Sequence, residues 1–587
     1  MGAKLAVRDD PRPEISAPVG LLIRLLLALV RILLYPLLAL RRLRAAPVGS
    51  WVEVLVDGRV PELTVPPRGL ERLRRRKPVT SLSDLRELAA ELRKDLRPQG
   101  LLVTLKHFEG GMAAALALRD ILLGLAKNKR RVVVYLPTGA DTKGYFIASA
   151  ATEALGFPQA QVTLLGFASR GVFLKNALSK AGVVAEVIAH GKYKSAGDSL
   201  SRDTMSDAQR EQSGALLDLM YGTLTRALET RGLSAEEAKA AVDTGVFRTP
   251  EAVNAKLLDA ALHDDEVGKR LAHEGEPAVS GVSAERYLRA RRATRLGTRG
   301  RGPCIAVVRV HGAISQGDSP FARGALEHDI IAAVRLARES KSVRGVVLHI
   351  DSPGGSALAS ARMHRELELL ASDKPLVACM ADVAASGGYY VAAPAHAIIA
   401  QPLTITGSIG VIMARFAVGP VLERLGVNVE VLKRGAHADL LDPTRALTDS
   451  ERAAFAREIE GTYRDFVDVV ARGRKKTADE VDAVAQGRVW SGEDALSRGL
   501  VDALGGLDVA LAEVRRRIGR GGDALTPRVV RTRAHPAHTL DARGKEAALL
   551  GIAVDAMSPL LDLLPLVLCT ERVLLWAPDA AAIADSA

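Results

Sequence analysis

Three small-residue turns in the 587-residue chain have the composition of a nucleophilic site. In Ala384-Ala385-Ser386-Gly387-Gly388-Tyr389-Tyr390 an apolar run ends on a serine, and a helix-compatible Tyr-Tyr-Val-Ala-Ala sequence follows. A serine at a helix N-terminus lies beside backbone N–H groups and the positive end of the helix dipole, which suits a nucleophile that must generate an oxyanion. The same position is also the commonest one for a plain N-cap serine. Asp351-Ser352-Pro353-Gly354-Gly355 ends another apolar run on two glycines. They let backbone approach a substrate and turn its amides inward, and they fit a tight turn equally well. Thr406-Gly407-Ser408-Ile409-Gly410 is a third turn of this kind.

A serine nucleophile needs a base. His364 and His396 are near in sequence, but neither sits in a motif with an orienting carboxylate. GxSxG, HExxH, Walker A and GxGxxG patterns are absent, and nothing calls for a metal or cofactor. A lysine can act instead if burial keeps it neutral. Gly191-Lys192-Tyr193-Lys194-Ser195-Ala196-Gly197-Asp198 offers Lys192 and Lys194, against the ordinary fate of a lysine on a solvated face.

These turns must be held by strands. Short apolar runs at 305–310, 345–350, 376–380, 397–399 and 429–432 read as strands, and 326–340 and 356–372 carry helical spacing. Alternation of this kind predicts an α/β domain with helices over a largely parallel sheet. Ligands of such sheets gather at the carboxyl ends of strands, where the Ser352–Gly355 and Ser386–Gly388 turns fall.

The pattern is written twice. Leu102 to Gly111 resembles Val346 to Gly355 at an offset of 244, and the same offset lays Lys143-Gly-Tyr-Phe-Ile on Gly387-Gly-Tyr-Tyr-Val. It also lays Gly182 to Val187 on Gly426 to Val431, and with one residue of drift Val246 to Asp259 on Val489 to Asp502. Two homologous halves, 50–283 and 304–525, follow, joined by an arginine-rich linker at 284–303. At this offset Ser386 corresponds to Thr142 and Lys194 to Ala438, so the candidate base lies in the first half only and the candidate nucleophile in the second only.

As a set, Asp-Ser-Pro-Gly-Gly, Ala-Ser-Gly-Gly-Tyr-Tyr, Thr-Gly-Ser-Ile-Gly and Gly-Lys-Tyr-Lys-Ser resemble the signal peptide peptidase A family in its long, two-half form, over about 50–525. The resemblance implies tandem Clp protease/crotonase-like domains in a membrane-bound Ser–Lys endopeptidase. Carried over, it makes Ser386 the nucleophile, Lys194 the general base and Ser408 the serine that holds the lysine. Gly355 and Gly387 become the oxyanion donors by analogy with the fold. It further implies peptide substrates such as signal-peptide remnants, a ring-like homotetramer, and an extracytoplasmic body at a bacterial inner membrane. A crotonase-like acyl-CoA enzyme and a non-catalytic membrane scaffold are the rival readings.

Composition sets the remaining bounds. Hydrophobic residues make up 48% and charged residues 25%, which excludes a mainly disordered or fibrous chain. The net charge is +12, yet aromatic residues are only 4% and do not interleave the basic clusters at 72–77, 286–301 and 515–533. Nucleic acid is therefore not an expected partner, and the last two clusters read as solvated linkers. Cys304, Cys379 and Cys569 form no disulfide framework or CxxC pair. Within the tail 1–49, residues 21–40 are long and apolar enough to span a bilayer. Arg24 and Arg31 interrupt them on one helical face, at a cost of at least ~2.5 kcal/mol for a charge at the bilayer centre. Spanning and lying in the interface are both open, with membrane lipid the partner either way. The flanking charges, taken alone, would leave the body cytoplasmic. Within the tail 526–587, Ala547–Trp576 is apolar, but Asp555, Asp562, Glu571 and two prolines favour packing or oligomer contact over a span.

Overall fold

The computed structural model describes residues 46–63, 81–272, 279, 281–293, 302–317 and 324–530, with the backbone of Leu574–Trp576. The 21–40 segment, the 72–77 cluster and Cys569 lie outside the described residues. Among those described, no helix is long and apolar enough to cross a membrane.

Each half is built on a mainly parallel sheet with helices packed against it. The first sheet runs Ala260–Ala261, Glu153–Gly156, Arg131–Leu136, Gly100–Glu109, Trp51–Arg59, Gly281–Ser283, with every neighbour parallel. Its inner strands are β-branched runs such as Val132-Val133-Val134, buried on both faces as a doubly covered sheet requires. The second runs Val489–Ser491, Ile405–Gly407, Leu376–Ala385, Val343–Ser352, Cys304–His311, Thr526–Val529. Ala397–Ala400 and Ala503–Leu504 extend it beside Leu376–Ala385. The halves share one core, since Val383, Ala385 and Ile405 of the second pack into the cluster holding Val54, Leu105 and Phe146 of the first.

A third sheet, ordered Ala325–Leu326, Ile314–Ser315, Gly354–Ser356, Leu574–Trp576, Val411–Ala417, Val184–His190, stitches the halves together. Val184–His190 leaves the first half and pairs antiparallel with Val411–Ala417 of the second along its whole length, from Val184 opposite Ala417 to His190 opposite Val411.

The duplication is visible in individual hydrogen bonds. Tyr145 donates to the Leu257 carbonyl and Tyr389 to that of Leu500, both at 2.7 Å. Asp259 accepts from the Ala154 amide and pairs with Arg231; Asp502 accepts from the Ile398 amide and pairs with Arg474. Each pair of bonds is displaced by 243 or 244 residues.

Three expectations need correction. The 429–432 run is not a strand: Val429, Val431 and Leu432 are 49%, 47% and 97% exposed, because nothing described lies beside them to complete a ladder. The proposed linker begins later than 284. Ala284–Ala293 is a helix on the first half, where Tyr287 and Leu288 are buried and the Arg291 guanidinium pairs with Asp95. Arg286 and Arg289 fall on the exposed side and leave Ala284, Tyr287 and Leu288 for the core, a spacing that a reading of charge density overlooks. Similarly, Arg515–Arg517 close the helix Leu507–Ile518 and bond Glu513, Leu525 and His396, and Thr526–Val529 joins the second sheet beyond the expected boundary at 525.

Candidate active site

Ser386 stands between the strand Leu376–Ala385 and the helix Gly387–Ala392, fully buried, with φ +54° and ψ −115°. A non-glycine residue rarely adopts such a backbone, and the strain costs about 1–3 kcal/mol. It is held by the Ser386 amide donating to Gly407 and the Ser386 carbonyl accepting from Tyr390. Ser408, on the next turn, is a second serine with positive φ, at +51°, and is likewise buried. Its amide donates to Arg488.

Lys194 arrives from the other half. The strand Val184–His190 ends at Gly191, and the loop that follows tucks the Lys194 side chain inward until it is 5% exposed. Its Nζ donates to Ser386 Oγ at 2.8 Å, and to the Ser408 hydroxyl and carbonyl at 3.1 Å each. Lys192 is exposed, with its Nζ 5.0 Å over the Tyr193 ring. The structure thus brings Lys194, Ser386 and Ser408 together and leaves Lys192 outside. His364 and His396 do not reach Ser386: His364 packs on Tyr390 and His396 bonds the Leu376 backbone.

The glycine turn closes the site from a third side. Gly354–Ser356 packs against the helix Gly387–Ala392, and a Cβ on Gly388 would meet the Ser352 carbonyl at 2.7 Å. Gly355 has φ +149° and crowds the Ile314 backbone so closely that a Cβ would lie 2.1 Å from its carbonyl. Gly387 is the first residue of its helix, where an N–H has no intrahelical acceptor. Backbone amides of both kinds can stabilise an oxyanion where a substrate carbonyl meets Ser386.

Sequence reasoning missed the parts that hold the lysine loop. Gly487 lies against Lys194 so tightly that a Cβ would sit 2.6 Å from its amide nitrogen, and Gly410 would meet its Cδ at 3.1 Å. Gln212, buried on the helix Asp207–Glu229, donates to the Tyr193 carbonyl and Ser195 Oγ while accepting from the Val489 amide, so one side chain clamps the loop to the second half. Arg488 reinforces it through Tyr193 and Glu211. Only the glycines carried a signal: Gly410 closes the 406–410 turn already singled out, and neither it nor the isolated Gly487 announces a partner some 220 to 290 residues away.

In the first half the corresponding turn is differently filled. Thr142 Oγ1 accepts from the Leu165 amide and donates to Thr163. The amides of Gly111, counterpart of Gly355, and of Ala114 donate to the two carboxylate oxygens of Asp382 from the second half, at 3.0 and 2.9 Å. Ala438, counterpart of Lys194, is exposed. A cavity of about 250 Å³ lies at this joint, lined by Arg59, Glu62, His311, His349, Asp351 and Asp382, and none of the residues around Ser386 borders it. Burial, with His349 as neighbour, pushes the His311 imidazole down to about 2, and burial lowers His349 as well.

The model of peptidase family S49 matches the chain twice, over 125–276 and 368–519. The chain is 36% identical to the chloroplastic serine protease SPPA of Arabidopsis thaliana, over 74% of this chain and 66% of that protein. It is 33% identical to protease 4 of Salmonella typhi, over 74% of this chain and 71% of that one. Protease 4 of Haemophilus influenzae is 28% identical over 73% and 72%. The chain therefore spans about two thirds to seven tenths of these relatives. A ClpP1 mutant from Listeria monocytogenes superposes with a TM-score of 0.24 at 14% identity, over 34% of this chain and 91% of that one.

Proposed function

The chain belongs to peptidase family S49 and is a serine-type peptidase, and from that premise we propose that Ser386 and Lys194 are its catalytic dyad. The observation that carries this reading is the buried 2.8 Å hydrogen bond from Lys194 Nζ to Ser386 Oγ, made across the two halves. A buried amine is favoured in its neutral form, in which it can accept the serine proton. Ser386 Oγ attacks the substrate carbonyl carbon as its proton passes to Lys194. The tetrahedral oxyanion is held by the Gly355 and Gly387 amides, and collapse expels the amine with that proton, leaving an acyl-enzyme. Lys194 then activates a water to release the acid and restore Ser386. Ser408 keeps the amine aimed through its hydroxyl and carbonyl.

Each half would be a domain of the Clp protease/crotonase type. The substrate would be an extended, exposed apolar peptide, such as a signal-peptide remnant, bound as an added strand between Gly354–Ser356 and Val411–Ala417. By family resemblance the apolar 21–40 segment would attach the enzyme to a bacterial inner membrane with its body on the extracytoplasmic side, the opposite of what the flanking charges taken alone imply.

The repeat also supports a homo-oligomer, a tetramer by family resemblance. Within the chain 184–190 pairs with 411–417. Shifted by 244, these become 428–434 and 167–173, neither of which is a strand among the described residues. A second copy would let 428–434 of one chain pair with 167–173 of the next, head to tail, in the arrangement that closes rings.

A fluorophosphonate probe tests the dyad. It should label Ser386 alone, fail on Ser386→Ala, and react far more slowly with Lys194→Ala at unchanged fold. Labelling of another serine, or full labelling of Lys194→Ala, would sink the assignment.

A further inference from the structure

One strand of the third sheet comes from far outside both halves. Leu574–Trp576 runs antiparallel to Gly354–Ser356, with Trp576 opposite Gly354, Leu575 opposite Gly355 and Leu574 opposite Ser356. On its other side it is antiparallel to Val411–Ala417, with Leu574 opposite Ile412. It also lies against the helix Gly387–Ala392, which begins immediately after Ser386. Its two neighbours are therefore the edges between which a peptide would have to enter. Strands pair about 4.8 Å apart, so a slot flanked by two edges takes one strand and no more.

We propose that the C-terminal segment around 574–576 is a resident, substrate-like occupant of the chain's own peptide groove, and that an incoming peptide must displace it. The inference rests on reading Ser386 and Lys194 as the working site. Three observations converge on it. Pairing on both sides is main-chain pairing, the mode in which an extended peptide binds regardless of its sequence. The register sets Leu575 opposite Gly355, one of the two oxyanion donors, so the segment crosses the site at the level of the nucleophile. Its sequence, Val573-Leu-Leu-Trp-Ala577, has the apolar character proposed for the substrate. Covalent attachment then makes a weak ligand effective: a tethered segment acts at an effective concentration on the order of millimolar. A segment that binds at about 0.1 mM when free would thus raise the apparent KM of a competing peptide about tenfold.

The test uses the full chain carrying Leu575→Pro, which removes a ladder N–H and fixes φ where neither ladder tolerates it. KM for a short apolar peptide ester should fall about tenfold with kcat within twofold. A synthetic peptide of residues 571–580 should then inhibit the variant competitively. In a Ser386→Ala background, amide exchange at 354–356 and 411–413 should quicken at least tenfold when Leu575→Pro is added. Unchanged exchange and unchanged KM, with normal hydrolysis by both chains, would overturn the occupant while leaving the dyad intact. Faster exchange in chains that neither hydrolyse peptide nor react with fluorophosphonate would uphold the occupant and overturn the dyad.

Discussion

Substituting Gly487 by alanine should disable catalysis without touching either reacting residue. A Cβ at 487 would lie 2.6, 2.7 and 2.8 Å from the Lys194 amide nitrogen, Cβ and Cα, none of which can rotate away. Ordinary contact begins near 3.4 Å, so the lysine loop must withdraw by about 0.8 Å. The loop is pinned by the Tyr193 amide on the Gln486 carbonyl, which moves with residue 487, so the displacement passes into the lysine. Carried through to Nζ, it stretches the 2.8 Å bond to Ser386 to about 3.6 Å, beyond hydrogen-bond range. A misplacement of about 1 Å at a catalytic group costs about 10²-fold, or about 2.7 kcal/mol of barrier. We therefore expect kcat for a peptide ester to fall about a hundredfold while KM stays within threefold. Gly487 has φ +75°, so alanine also costs about 1 kcal/mol of stability, visible in urea unfolding. Gly461→Ala is the control: it lies on the exposed face of Asp449–Arg474 with nothing within 4 Å and should keep full activity. If Gly487→Ala retains activity within threefold of the parent, the rate does not depend on where this glycine seats the lysine, and the reasoning fails.

Lys194→Ala should abolish hydrolysis, whereas Lys192→Ala, which removes only an exposed amine above Tyr193, should keep most of it; the reverse result would move the base to 192. Because the base works only as a neutral amine, kcat/KM should rise with pH through its titration, and a flat profile from pH 5 to 10 with chemistry rate-limiting would count against it. Stability should fall on acidification. The imidazoles of His311 and His349 are depressed in the fold, so the unfolded chain takes up their protons first, and the stability present above pH 6.5 is lost as pH falls toward about 2. Between pH 6.5 and 5 one such ring is worth about 2 kcal/mol, and His311→Asn should flatten that part of a melting-temperature profile. Thr142→Ala should cost about 1 kcal/mol of stability through its bonds to Leu165 and Thr163 and leave kcat/KM unchanged; a tenfold loss of activity would mean that the first half carries chemistry of its own.

How much of this could be read from residues alone depended on whether the information was local. The runs at 305–310, 345–350 and 376–380 announced strands because burial on both faces of a parallel sheet demands unbroken β-branched and aliphatic residues, and they lie within Cys304–His311, Val343–Ser352 and Leu376–Ala385. The run at 429–432 has the same chemistry as its counterpart in Val184–His190, yet among the described residues only the latter has a partner strand, and pairing is not a property of one segment. Ser386 and Ser408 share an unusual backbone that no propensity foretells, since positive φ at a serine is imposed by the surrounding hydrogen bonds. The reach of Lys194 to Ser386 was suggested by complementary gaps in the two halves. The clamp formed by Gln212 left no such trace, because a glutamine on a helix reads as solvated surface until its neighbours are known.

Asp382 has a consequence for the duplicated chain as a whole. Its carboxylate takes the Gly111 and Ala114 amides, and Gly111 is the counterpart of Gly355, one of the two donors that a site in the first half would need for an oxyanion. Placing a serine at 142 and a lysine at 438 would still leave the Gly111 amide bonded to Asp382. The turn that corresponds to an oxyanion donor in one half therefore serves in the other as a seam by which the two halves are aligned, and a serine at 142 alone would not supply a second site.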